Sequence, residues 1–181
     1  TAGNYTVQVT NAAGCLSVPS GTTVVTVNPL PSRPTITPSG TVNICAGSSR
    51  TLTSSAGNTY VWSTGETTQS ISVSTAGSYT VQVTNSYGCL SQASLATAIV
   101  VNPLPATPTI TASGSTAICS GSSITLTSSV STGYLWSTGA TTRSIAVSTA
   151  GDYWVRVTDA NSCQSAQSAT TTVTVNPVPV T

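Results

Sequence analysis

Residues 77–84 read Gly77-Ser78-Tyr79-Thr80-Val81-Gln82-Val83-Thr84. Tyr79, Val81 and Val83 fall on one face of an extended chain and Thr80, Gln82 and Thr84 on the other. That period of two is the signature of a half-buried β-strand. Glycine turns bound the run, Ala76-Gly77 before it and Tyr87-Gly88 after it. The same alternation stands at Tyr5, Val7 and Val9, and again at Tyr153, Val155 and Val157, 74 residues to either side.

Outward from this strand, further short strands are expected around Thr35–Pro38, Val42–Cys45, Arg50–Ser54, Thr59–Ser63, Thr68–Ser74 and Ala96–Asn102. Ser39-Gly40, Ala46-Gly47, Gly57-Asn58 and Thr64-Gly65 mark turns between them. Six or seven short strands with a central Trp62, and a tyrosine after a glycine turn, predict an all-β fold of the immunoglobulin-like β-sandwich type. The expected core is Ile36, Ile44, Leu52, Tyr60, Trp62, Ile71, Val73, Tyr79, Val81, Val83, Ile99 and Val101.

The 74-residue interval is unbroken along the chain. Cys15, Cys89 and Cys163 keep it, as do Cys45 and Cys119, and as do Asn28-Pro29, Asn102-Pro103 and Asn176-Pro177. Trp62-Ser-Thr-Gly65 returns as Trp136-Ser-Thr-Gly139, and Thr51-Leu-Thr-Ser-Ser55 as Thr125-Leu-Thr-Ser-Ser129. The chain therefore reads as tandem sandwich repeats: 1–31 the C-terminal part of one, 32–105 a second, 106–181 a third. The proline-rich stretches Asn28–Pro34 and Asn102–Pro108 join them as short, stiff couplings. Two strands alone cannot bury a core, so residues 1–31 are expected to be completed by the preceding repeat of a longer array or by a neighbouring chain.

Composition removes whole classes of chemistry. Seven of the 181 residues are charged (Arg33, Arg50, Arg143, Arg156, Glu66, Asp152 and Asp159), and there is no His, Lys, Met or Phe. Ser and Thr exceed a third of the chain. Without histidine the common Ser-His-Asp and Cys-His nucleophiles lack a base. Four scattered arginines make no nucleic-acid footprint, and three isolated acids make no calcium cage. Glu66 faces Ala140 one interval on, and Asp152 faces Ser78 and Asn4, so no pair of acids recurs as a glycosidase would need. No enzymatic activity, no cofactor, no metal and no membrane span are expected, the last because no apolar run approaches ~18 residues.

The five cysteines fit an oxidising compartment better than a metal site, since no C-x-x-C pair is present. Each full repeat holds two, 44 residues apart. Their pairing depends on strand parity. With three strands between the second strand and the strand at Tyr79–Thr84, the two cysteine-bearing turns lie at opposite ends, and Cys45 would reach Cys163 of the next repeat. The short interval between Trp62 and Tyr79 favours two intervening strands instead, which puts both turns at one end. The expected disulfides are thus Cys45–Cys89 and Cys119–Cys163, with the inter-repeat Cys45–Cys163 as the alternative and the partner of Cys15 outside the sequence.

On the polar face of the third copy, Trp154 and Arg156 replace the Thr and Gln of the others. They form a candidate contact for a surface glycan or a partner chain, or else a stack within the sheet or a contact between repeats. Asn4-Tyr5-Thr6 matches a glycosylation sequon.

The frame Ile44-Cys-x-Gly47, Leu52-Thr53, Tyr60-x-Trp-Ser-x-Gly65, Gly77-x-Tyr-x-Val-x-Val-Thr84, Gly88-Cys89 and Val101-Asn-Pro-x-Pro105 resembles the tandem immunoglobulin-like and PKD-like repeats of giant Bacteroidota surface proteins. Gliding-motility adhesins exported by type IX secretion are close relatives of that group. The PKD aromatic–Gly-Asp-Gly signature is absent, and Ser162-Cys163 replaces the Gly-Cys pair in the third copy. The resemblance implies an extracellular or cell-surface stalk or adhesive filament. Its partners would be neighbouring repeats and laterally associating chains. A carbohydrate-binding accessory module is the alternative.

Overall fold

The computed structural model describes residues 1–179; Val180 and Thr181, at the end of the third expected repeat, lie outside the described residues. The fold is all-β and sandwich-like. The first strands are β1 (Gly3–Tyr5), β2 (Thr23–Val25), β3 (Ile36–Thr37), β4 (Thr41–Cys45), β5 (Arg50–Ser54) and β6 (Thr59–Trp62). Then come β7 (Ser70–Val73), β8 (Gly77–Tyr79), β9 (Val81–Thr84), β10 (Thr97–Asn102), β11 (Ile110–Ala112) and β12 (Ala117–Cys119). The last are β13 (Ile124–Ser128), β14 (Gly133–Trp136), β15 (Ser144–Val147), β16 (Gly151–Tyr153), β17 (Val155–Thr158) and β18 (Thr171–Asn176). Two compact units result. One holds Thr1–Ser39, Leu52–Ile71 and Tyr79–Thr97; the other holds Gly40–Thr51, Ser72–Ser78 and the chain from Ala98 onward.

The second unit contains β11–β18 entire. β13 lies between β11 and β15, antiparallel to both. β18 lies between β12, its parallel partner, and β16, its antiparallel one. β14 pairs antiparallel with β17. Alternating side chains from these sheets meet in one core: Ile118, Ile124, Leu126, Trp136, Ile145, Val147, Tyr153, Val155 and Val173. Trp136 is enclosed, and its indole N–H donates to Thr142 O at 2.8 Å, so the large ring enters the core with no polar atom unpaired. The hydroxyl of Tyr153 donates to Thr149 O at 3.0 Å and tethers the bend before β16. The same unit holds β4, which runs parallel to β10 with Ile44 opposite Val101 and Cys45 opposite Asn102.

In the first unit, β3 pairs with β5 and β6 with β9, both antiparallel. The indole N–H of Trp62 donates to Thr68 O at 2.8 Å, as its counterpart does at Trp136. β1 and β2 pair antiparallel but carry no buried face. Val7 is 63% exposed, whereas Val81 and Val155, one and two intervals on, are 1% and 0% exposed. Among the described residues β1 and β2 form a two-stranded sheet by themselves, so no layer covers that face.

Ten of the twelve expected core residues are buried. Tyr60 and Val101 are half-buried. Tyr60 turns its hydroxyl to the loop, where it accepts from Gly57 N at 3.1 Å. Two expected strands are divided. The run Tyr79–Thr84 is interrupted at Thr80, whose carbonyl accepts from Ser63 N at 2.9 Å. In the third copy Trp154 O accepts from Ser137 N in the same way. There the reason is explicit: the chain leaves β18 as partner on one side of Trp154 and takes β14 on the other. The expected strand Thr68–Ser74 begins only at Ser70. The residues before it are a separate return run, with consequences for the cysteines.

Candidate functional site

Among the described residues, no three of Cys, Asp and Glu converge in a way that holds a metal. The three acids serve local structure. Glu66 contributes its backbone carbonyl to Trp62 N, Asp152 Oδ1 accepts from Thr172 Oγ1 at 2.7 Å, and Asp159 organises a turn. A shallow cleft of about 440 Å³ beside Pro31, Gly57 and Val83 is lined by hydroxyl, amide and apolar groups and no charged side chain. The feature with chemical content is a disulfide.

Cys45 bonds to Cys163 across 118 residues, with a Cα–Cα distance of 5.5 Å. That distance lies in the middle of the usual range. Each cysteine is held by its turn. On one side β4 ends at Cys45; Ala46 N donates to Asn102 O at 2.8 Å, and Ser48 N donates to Cys45 O at 2.9 Å. Gly47 completes that turn at φ 82°, a left-handed value that favours glycine. On the other side Asp159 Oδ1 accepts from Asn161 N and Cys163 N, both at 2.9 Å, an aspartate-nucleated turn. Ser162 adopts φ 65° where the other copies have Gly14 and Gly88. Cys163 is fully enclosed.

This corrects the expected pairing. The bonds Cys45–Cys89 and Cys119–Cys163 do not form; Cys15, Cys89 and Cys119 are free thiols. The reason is parity. After β14 the chain reverses, with Trp136 N donating to Ala140 O and Trp136 Nε1 to Thr142 O; it has turned again by Arg143, whose carbonyl accepts from Ser128 N in the β13–β15 register. Residues 140–142 are thus a third pass between β13 and the β16–β17 run, besides β14 and β15. With three passes, β13 and that run point the same way. The turn entering β13, next to Cys119, and the turn leaving β17, which holds Cys163, then lie at opposite ends. A run the length of β16–β17 spans roughly 25 Å, far beyond the ~7 Å that a disulfide tolerates. The residue that can reach Cys163 belongs to the preceding segment, and it is Cys45.

The structure brings Trp154 and Arg156 together. The guanidinium carbon lies 5.7 Å from the indole centroid, and Arg156 Nη1 donates to Gln164 Oε1 at 3.3 Å. Both residues are half-buried. This is a stack along one strand, with the ring partly covered by its own neighbour. Asn4 lies exposed in β1 opposite Val24.

One device was missed in the sequence. Ser165 Oγ accepts from Val157 N at 3.0 Å and Ser168 Oγ from Val155 N at 3.1 Å, while their own N–H groups donate to the carbonyls of the same two valines. Ser91 and Ser94 do the same for Val83 and Val81, and Ser17 and Ser20 for Val9 and Val7. A non-strand segment thereby satisfies an open strand edge with side-chain oxygens. The signal was a Ser-x-x-Ser pair at 17, 91 and 165 in a chain crowded with serine.

Comparison with protein-family models and with curated proteins finds no match.

Proposed function

We propose that this chain is a structural segment of a long extracellular repeat protein, the stalk or filament of a surface adhesin, with no catalytic role. Its modules are immunoglobulin-like sandwiches repeating every 74 residues. The observation that carries the reading is the Cys45–Cys163 bond, which ties the 32–105 segment covalently to the 106–181 segment. Both cysteines lie in one compact unit that the two segments build together, and the bond resists separation of those segments. That is useful in a load-bearing array and has no evident use in an enzyme or a lone binding module.

The strand pairings support the immunoglobulin-like reading. So do the enclosed Trp136 and the Tyr153 hydroxyl, which donates back to Thr149 O four residues upstream as in a tyrosine corner. A disulfide with Cys163 enclosed fits an oxidising, extracellular setting. Arrays of like modules with nearest-neighbour contacts behave as quasi-one-dimensional assemblies, as the resemblance to gliding-motility adhesins also implies. The carbohydrate-binding alternative has less support: it asks for an open aromatic in every copy, and Trp154 has Thr80 and Thr6 at its equivalent positions.

Electron microscopy of the native material tests the proposal. Beaded filaments with one bead per 74-residue module are expected. Compact particles lacking a bead repeat would overturn it.

A further inference from the structure

The outer face of the Tyr153–Thr158 run differs from its counterparts at three adjoining positions. Thr6 and Thr80 give way to Trp154, Gln8 and Gln82 to Arg156, and Leu16 and Leu90 to Gln164. The inward Tyr, Val and Val are the same in all three copies. In the first two copies the glutamine fastens the strand to the segment beside it: Gln8 Nε2 donates to Ser17 O at 2.9 Å and Gln82 Nε2 to Ser91 O at 2.8 Å. Arg156 does not repeat that bond. Its Nη1 donates to Gln164 Oε1, and its guanidinium lies on Trp154. The three altered side chains thus form one cluster, beside the exposed Leu135 that stands opposite Arg156 in the β14–β17 pair.

The cluster is not satisfied within itself. Arg156 Nε is enclosed and has no hydrogen-bond partner, Nη2 has no protein acceptor, and among the described residues no acid pairs with the charge. A stack serving only the sheet gains nothing from a buried, orphaned N–H on a permanent cation, which costs free energy. The Nε–Nη2 edge is a fork that matches the two oxygens of a carboxylate. The indole beside it offers a flat apolar face. The nearby polar groups are uncharged: Ser137 Oγ, which accepts from Trp154 N at 3.4 Å, and the Gln164 amide. We propose that this cluster binds an acidic glycan. One sugar ring lies on Trp154, and its carboxylate accepts from Arg156 Nε and Nη2 once the guanidinium swings outward from the ring. Arg143, the other cation of the third copy, donates to Ser128 O in a different sheet. A single available arginine suits one carboxylate on a sugar better than a polyacidic peptide.

A cluster present in one copy is an addition to an array rather than a property of its module. Binding is measured on the chain itself, so its failure leaves the microscopy result a separate matter. The 181-residue chain is titrated with uronic-acid and sialic-acid oligosaccharides, each beside its carboxyl-reduced counterpart, and with poly-glutamate. Calorimetry and tryptophan emission are the readouts. Trp62 and Trp136 are enclosed in the cores, so an emission change on binding reports Trp154. An acidic oligosaccharide is expected to bind and to shift the emission, with the carboxyl-reduced form weaker by about tenfold or more. Arg156→Gln and Trp154→Thr install residues that the first two copies carry at these positions. Each should keep the unfolding midpoint near that of the parent and weaken binding by about tenfold or more. The proposal is overturned if no acidic sugar binds, if the carboxyl-reduced sugar or poly-glutamate binds as tightly, or if either folded variant binds like the parent.

Discussion

At the scale of single residues, the serines after the Tyr-x-Val-x-Val strand decide whether that strand has a satisfied edge. Ser165 is 5% exposed, and its hydroxyl accepts from Val157 N and donates to Ala166 O at 2.7 Å. Ser165→Ala leaves a buried N–H without its acceptor. A loss of about 1–3 kcal/mol in denaturant unfolding is expected; an unchanged midpoint would mean that another acceptor replaces the hydroxyl. Gly57 decides a different contact. A Cβ there would stand 2.6 Å from the Cβ of Val83, an atom one bond from the backbone that cannot swing aside. Gly57→Ala is expected to cost roughly 1–3 kcal/mol by overpacking, read from the same unfolding curves. The third copy has Ser131 at the aligned position and a glycine at 133 instead, so the two loops solve the close approach differently. Alternation alone identified most of the buried residues, because a strand's period is a property of the backbone. It did not single out Ser165, because a serine that caps an edge and a serine in a solvated loop look alike until the edge is seen.

At the scale of elements, the short pass at 140–142 governs more than its length suggests. It forms because Thr138-Gly139 reverses the chain, with Gly139 at φ 83°, and because Trp136 holds the returning strand by its backbone N–H and its indole N–H. Trp136→Phe keeps most of the ring but removes the bond to Thr142 O. A destabilisation of about 1–3 kcal/mol is expected from the lost hydrogen bond and the smaller ring. Hydrogen exchange should show the protection of Ala140–Thr142 falling before that of β13; equal loss in both would refute the anchoring role. In the sequence this pass merges with the strand that follows it, since Thr and Ser alternate through both. The turn at Gly139 was legible, but the number of passes was not. Parity hung on that number, and with it the cysteine pairing.

At the scale of the whole molecule, the staple closes a loop of 118 residues. In the loop-entropy description a closure of this length contributes about 4–5 kcal/mol, with measured disulfides more often giving 2–4. Cys45→Ser or reduction should therefore lower the unfolding midpoint by an amount corresponding to roughly 2–5 kcal/mol. Cys89→Ser, which touches no bond, should stay within about 0.5 kcal/mol of the parent. Equal losses from both would point to a Cys45–Cys89 bridge instead. The sequence by itself determined the all-β class and most of the strand faces. These are local or periodic properties, set by side-chain alternation, turn chemistry and spacing. Only the tertiary structure decided which cysteines meet, that Arg156 lies against Trp154, and that paired serines close a strand edge. Each depends on the direction in which a strand arrives, and direction is fixed by counting reversals along the chain rather than by any residue's own preference.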